Sequence, residues 1–306
     1  MKYCIAIGPS SFAAQDDTPL RILKETGSVI IPNPFGRRLT EEEIITHLKG
    51  VDGLVAGLEP LNGRVFASAP QLKAIARVGI GMSNVDTEVA KELGIKVSNT
   101  PEGPTEAVAE MTLAALLTLA RGLVPANAAL HNGEWKKVIG FGLKETKVLL
   151  IGYGRIGKRV GQLLRACGAQ ILVADPLLEA GLLDNGVKSV SLEEGLGEAQ
   201  VVSLHASGTE TIINSKQFAQ MKDGVVLLNA ARGELVDEDA LCQALESGKV
   251  GNAWFDVFWK EPYDGRLTQY EQVLLTPHIS TYTQQCRLSM EVGAVKNLFR
   301  DLELSS

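Results

Sequence analysis

Val148-Leu149-Leu150-Ile151-Gly152-Tyr153-Gly154-Arg155-Ile156-Gly157 is the stretch that decides the fold. Its first four residues are apolar without interruption, which predicts a strand buried on both faces. Glycines at G-x-G-x-x-G spacing follow at once, and a helical pattern then runs to Cys167. A second apolar run, Ile171–Ala174, ends at Asp175, 18 residues beyond Gly157. Strand, glycines, helix, strand and acid in this order predict a dinucleotide-binding βαβ unit. Gly152 permits the tight turn, Gly154 lets the backbone approach a pyrophosphate, and Gly157 lets the helix close on the strand. The helix N-terminus adds free N–H groups and a positive dipole end. Asp175 is placed to accept hydrogen bonds from ribose hydroxyls, and its charge opposes a 2′-phosphate, so NAD is the expected cofactor. The plain alternative is a glycine-rich turn followed by a surface aspartate.

Outward from this unit, short β-rich runs alternate with helical patterns almost from end to end, the signature of parallel sheets. Downstream strands are expected at Val201–Leu204, Val225–Asn229, Asn252–Asp256 and Val273–Thr276. Upstream, strands are expected at Lys2–Gly8, Ser28–Pro32, Gly53–Ala56, Leu72–Val78 and Ile95–Ser98. Helices are expected at Glu41–Lys49 and Val85–Leu93, the first opened by a Thr40/Glu43 capping box. Asn99-Thr100-Pro101 and Gly103-Pro104 interrupt the pattern, because a residue before proline avoids helical geometry. The long helix Thr105–Arg121 is apolar over a broad surface, which serves either an internal core or a subunit interface. The last helical stretch, Thr283–Leu302, is expected to pack back onto the first half of the chain. The fold class is therefore α/β, with two doubly wound parallel-sheet domains. A Rossmann NAD domain, residues 100–282, is inserted into a flavodoxin-like substrate domain formed by 1–99 and 283–306. Two chain crossings would make a hinge with a cleft between the domains.

Length and composition agree with two domains: 306 residues, 45% hydrophobic, 22% charged and 31 glycines. Disordered and collagen-like classes are excluded. With 30 basic against 36 acidic residues, a net charge of −6 and no basic run, neither nucleic acid nor an anionic membrane is an expected partner. Met111–Ala120, the longest apolar stretch, has ten residues, too few to span a bilayer. Cys4, Cys167, Cys242 and Cys286 are far apart and read as reduced thiols of a cytoplasmic protein. No signal peptide is visible.

Of four histidines, His47 is expected in a surface helix and His131 in a polar turn, both solvated. None has metal-ligand spacing, so no metal is expected. His205 closes a strand and reads equally as a cap or a site residue. His278 follows Val273–Thr276, at a strand's carboxyl end, where open α/β sheets place their ligands. Asn229-Ala230-Ala231-Arg232-Gly233 and Asp256-Val257-Phe258-Trp259-Lys260-Glu261-Pro262 begin at two more such ends. Arg232 offers a fork for a carboxylate and can polarise a carbonyl beside it. His278 can exchange a proton with a hydroxyl near neutral pH. Glu261 can orient the imidazole and stabilise its charged form. With a nicotinamide alongside, the trio suits oxidation of a 2-hydroxy acid or reduction of a 2-oxo acid. The milder alternatives are a turn cap for Glu261, a surface ion pair for Arg232 and a loop position for His278.

These segments resemble the D-2-hydroxyacid dehydrogenase family, within it the phosphoglycerate dehydrogenase branch. The matching stretches are Arg77–Asp86, Asn99-Thr100-Pro101, Val108-Ala109-Glu110, Gly152–Gly157, Asn229–Gly233, Asp256–Pro262 and Thr276-Pro277-His278. The resemblance implies that Arg232, Glu261 and His278 are the catalytic trio. It implies that backbone amides around Val78-Gly79 hold the substrate carboxylate, with Arg77 nearby. It also implies cofactor contacts from Ile80, Arg155, Ile156, Asp175, Ala230, Arg232, Asp256 and His278, with His205 and Ala206 in a turn beside the cofactor. Homodimers through the second domain are usual in the family, which would account for the apolar helix Thr105–Arg121. Three departures stand out. Ser207 replaces a usual proline. No base follows the strand at Val55, where the chain reads Ala56-Gly57-Leu58-Glu59-Pro60. There is no C-terminal extension for a small regulatory domain, so control by such a domain is not expected. Lys136 and Lys137 could add positive charge. The best expectation is an NAD-dependent enzyme for D-3-phosphoglycerate and phosphohydroxypyruvate. The alternatives are a hydroxypyruvate or glyoxylate reductase, another D-2-hydroxyacid dehydrogenase, and a non-enzymatic NAD-sensing protein of the corepressor kind.

Overall fold

Alternate residues of the central strands supply two different cores in the computed structural model, which describes residues 3–183 and 186–304. Val148 and Leu150 join one buried cluster while Leu149 and Ile151 join another on the opposite face. That is why the strands of this half read as unbroken apolar runs. Burying each such side chain contributes about 1.5–3 kcal/mol.

The chain divides into two compact units, Met1–Pro104 with Tyr282–Ser306, and Thr105–Thr281. In the first, β1 (Cys4–Ile7), α1 (Thr18–Glu25), β2 (Val29–Ile31), α2 (Glu41–His47), β3 (Gly53–Ala56), α3 (Gly63–Ala67), β4 (Ala74–Arg77), α4 (Thr87–Glu92) and β5 (Lys96–Ser98) follow in order. The strands form one parallel sheet ordered β2-β1-β3-β4-β5, the flavodoxin-like order. Of the expected first strand, Lys2 lies outside the described residues. The Thr40/Glu43 capping box is present, with the Glu43 carboxylate accepting from the Thr40 amide at 2.9 Å.

The second unit runs through α5 (Pro104–Ala120), α6 (Leu123–His131), β6 (Lys147–Ile151), α7 (Arg155–Ala166), β7 (Gln170–Ala174), β8 (Gly181–Leu182), β9 (Lys188–Ser189), α8 (Leu192–Glu198), β10 (Val201–Leu204), α9 (Ser215–Gln220), β11 (Val225–Asn229), α10 (Glu238–Glu246), β12 (Val250–Phe255) and β13 (Val273–Leu275). Its sheet is ordered β13-β12-β11-β10-β6-β7-β9-β8, parallel except for β8. The order reverses between β6 and β10, the switch point at which doubly wound sheets bind ligands. On α5, Ala109, Ala115 and Leu116 lie in the core with α7 residues Val160 and Leu164. Finally α11 (Gln284–Leu302), capped by Thr283, packs on α1, β3, β4 and β5 of the first unit. Its Leu302 carbonyl accepts from the Tyr3 hydroxyl at 3.0 Å, and Asn297 donates to the Asn99 carbonyl at 2.8 Å.

Candidate active site and cofactor cradle

Sheet order arranges the expected site residues of the second unit along one carboxyl edge. From one end they are His278 after β13, Asp256 and Glu261 after β12, Arg232 after β11, His205 after β10, the glycine turn after β6 and Asp175 after β7.

His278 and Glu261 meet. The ring Nδ1 stands 2.9 and 3.0 Å from the two carboxylate oxygens of Glu261, with both side chains partly exposed. Glu261 also accepts from the Phe258 amide at 3.2 Å. With Nδ1–H given to the carboxylate, Nε2 is the nitrogen left to exchange a proton. His278 occupies the left-handed region at φ 54°, uncommon for a residue with a Cβ.

Arg232 is half-buried and donates to the Ala231 carbonyl at 2.6 Å. The wholly buried Asn229 braces its loop, accepting from the Ala231 amide at 3.0 Å and donating to the Arg232 carbonyl at 2.8 Å. Gly233 ends the Asn229–Gly233 segment, and its packing role is visible only in the fold. A Cβ there would stand 2.5 Å from the Trp259 nitrogen and strike the Phe258 backbone, so only glycine lets the Arg232 loop lie against the Glu261 loop.

Asp256, expected at the cofactor, is 1% exposed. One oxygen accepts from the Thr276 hydroxyl at 2.6 Å and the Ile279 amide at 2.9 Å, the other from the Ser280 amide at 2.9 Å. Its contacts therefore serve the turn that carries His278.

At the glycine turn, Gly152 has φ 91°, and a Cβ would come within 2.6 Å of the Ala206 nitrogen. Gly157 packs under the Gly152 carbonyl beside His205. Gly154 differs, for a Cβ there would meet nothing within 4 Å. Gly154 caps α7 without any side-chain cap, so the first-turn amides of Arg155, Ile156 and Gly157 stay available. Open space, free amides and a dipole end form a cradle fitted to a dinucleotide's phosphates. Asp175 accepts from the Tyr153 amide at 2.7 Å and the Leu177 amide at 2.9 Å. A carboxylate has about four acceptor positions, so capacity for ribose hydroxyls remains. His205 pairs with the Ser203 hydroxyl at 2.8 Å, and burial pushes its pKa down to about 4, so it is neutral at physiological pH. Ala230 lies half-buried in the Arg232 loop, and Ser207 is exposed beyond Ala206.

In the first unit the Val78 amide donates to the Ala56 carbonyl and the Gly79 amide to the Thr100 hydroxyl, each at 2.8 Å. The two amides that the resemblance assigns to a substrate carboxylate are thus engaged within the protein. Ile80 is half-buried, its carbonyl accepting from Asn99 at 2.8 Å. Arg77 is 8% exposed, donates to the Val78 carbonyl and folds over the face of Gly79 where a side chain would stand. Beside it Glu59 is 1% exposed; burial raises its pKa, while Arg77 and Arg38 pull it the other way. Two histidines are placed differently from expectation. His47 is buried, not solvated, with Nε2 3.1 Å from the Ile7 carbonyl, because α2 turns its last residue onto the end of β1. His131 ends α6 rather than lying in a turn, although it is exposed. Lys136 and Lys137 are exposed.

The family model described as "D-isomer specific 2-hydroxyacid dehydrogenase, NAD binding domain" matches residues 113–280. A hydroxypyruvate reductase from Thermotoga maritima is 36% identical over 274 residues, covering 86% of this chain and 89% of that protein. A D-3-phosphoglycerate dehydrogenase from Synechocystis sp. is 32% identical over 297 residues, 94% of this chain but 53% of that protein. The chain spans about half the length of the D-3-phosphoglycerate dehydrogenases it matches. Among solved structures, the TT0316 protein from Thermus thermophilus superposes with a TM-score of 0.88 at 34% identity, covering 98% of this chain and 97% of that one. A glyoxylate reductase from Paecilomyes thermophila gives 0.85 at 28% identity, covering 99% and 96%. This chain belongs to the D-isomer-specific 2-hydroxyacid dehydrogenase family, whose NAD-binding domain it carries.

Proposed function

We propose that the protein interconverts a small D-2-hydroxy acid and its 2-oxo acid, with NAD as the redox partner. The observation that carries this reading is the His278–Glu261 pair at the carboxyl edge of a dinucleotide-binding sheet. Bound NAD supplies the hydride acceptor, or as NADH the donor, cradled by the Gly152–Gly157 turn, the first amides of α7 and Asp175. Arg232 is assigned the substrate carboxylate and polarises the adjacent carbonyl. In reduction, His278 Nε2–H delivers its proton to the oxygen on C2; in oxidation Nε2 takes it back. Glu261 keeps Nδ1 protonated and balances the charge of the ring while both nitrogens carry protons.

D-3-Phosphoglycerate and hydroxypyruvate are both within reach of this chemistry, since relatives carry both names. The commitment of Arg77 to the Val78 carbonyl, with Glu59 buried beside it, favours the unphosphorylated class as a second reading. Purified protein and NADH, offered a panel of 2-oxo acids that includes phosphohydroxypyruvate, test both while NADH absorbance is followed. Turnover of at least one 2-oxo acid is expected, and none on any member would refute the reading. We assign the active form as a homodimer built through the second unit, because Leu117 at the end of α5 and Leu123, Val124 and Leu130 on α6 are exposed. Four unpaired cysteines suit a reducing cytoplasm.

A further inference from the structure

Behind the His278 turn runs a hydrogen-bonded chain that the proposed reaction does not itself use. The indole N–H of Trp254, a wholly buried side chain near the end of β12, donates to Thr276 Oγ1 at 2.9 Å. The Thr276 hydroxyl donates to Asp256 at 2.6 Å, and Asp256 accepts the amides of Ile279 and Ser280. The direction of this chain is fixed by chemistry. An indole nitrogen can only donate, so the threonine oxygen accepts there and its single proton goes to the carboxylate. Asp256 thereby holds the two amides that directly follow His278. On the other side the His278 amide donates to the Thr276 carbonyl at 2.9 Å. A residue at φ 54° is thus pinned from before and behind, as an unfavourable backbone conformation must be to persist.

We propose that Thr276 and Asp256, oriented by Trp254, are positioning residues for His278. By fixing the left-handed turn they deliver its ring to Glu261 with Nε2 free for the substrate. This role acts through backbone amides and is separate from any contact of Asp256 with the cofactor. It rests on His278 being the acid–base group of the proposed function.

Thr276→Val tests it, because valine keeps the shape and removes the hydroxyl. Misplacing a proton-transferring group should lower kcat about tenfold or more, with KM for the 2-oxo acid and NADH affinity within about threefold of the parent. Thr276→Ser restores the hydroxyl and should return kcat to within about threefold. A Thr276→Val protein at parental kcat, a Thr276→Ser protein no better than Thr276→Val, or loss of NADH affinity in step with kcat would each overturn the assignment. If Thr276→Val does not fold, Trp254→Phe, which removes only the first donor, is read the same way: a lowered kcat at parental KM supports the assignment and an unchanged kcat overturns it. His278→Asn measured alongside separates the two levels. If it stays active, the histidine reading itself fails, and with it this one; if it is inactive, the outcome at Thr276 stands alone.

Discussion

Asp175 carries two loads at once. Its oxygens hold the Tyr153 and Leu177 amides, shaping the glycine turn, and its charge is the proposed discriminator against a 2′-phosphate. Asp175→Asn should therefore raise the ratio of kcat/KM with NADPH to that with NADH by about tenfold. Because one amide loses its acceptor, stability should fall by about 1–2 kcal/mol. An unmoved cofactor ratio would remove the aspartate from this role. Gly154 offers a cleaner test of the cradle, since a Cβ there would meet no protein atom within 4 Å. Gly154→Ala should shift the melting temperature by only a few degrees yet weaken NADH binding about tenfold or more, as calorimetric titration would show. At the other end of the edge, His278→Asn and Arg232→Ala should each lower kcat by about a hundredfold or more while NADH still binds. Parental turnover in either would withdraw that residue.

Gly233 matters at the level of elements, for it permits the loop after β11 to lie against the loop after β12. Gly233→Ala forces a methyl into the Phe258–Trp259 backbone and should cost about 1–3 kcal/mol. Activity should fall further than stability explains, since both the Arg232 and Glu261 segments must move; activity that tracks the folded fraction alone would contradict this. The position also shows where sequence reading stops. The strands β10 and β11 were legible to the residue, because a strand buried on both faces leaves an uninterrupted apolar run. The two-residue strands β8 and β9 are too short to show any alternation. The start of α6 is obscured by Pro125 in its first turn, and α1 by Pro19 in the same place. Arg232, Glu261 and His278 could be singled out as candidates because each lies just beyond a strand of the same sheet. Gly233 could not, because its role depends on a backbone 25 residues away in sequence, and the Asp256 contacts likewise depend on residues 20–24 further on.

For the whole molecule, acid is the informative stress. His205 takes up a proton near pH 6.5 when unfolded but only near 4 when folded, burial being the cause. The unfolded state thus binds the extra proton between these values. Stability is undiminished above about pH 6.5 and is lost as pH falls toward 4, amounting to about 2 kcal/mol at pH 5. His47, also lowered by burial, acts in the same direction. Glu59, raised by burial, acts oppositely, losing its contribution as pH rises. Urea midpoints at pH 7.5 and 5 for the parent and His205→Asn would isolate the histidine, whose removal should flatten the slope. An identical slope in both would refute the attribution.

The succession β13-β12-β11-β10-β6-β7 also works as a ruler. Neighbouring strands lie about 4.8 Å apart, so five steps separate the loop proposed for proton exchange from the one proposed for ribose selection by about 24 Å. The two jobs fall to different loops mounted on one stiff frame. Coenzyme preference can therefore drift through changes after β7 without disturbing the groups proposed for proton exchange.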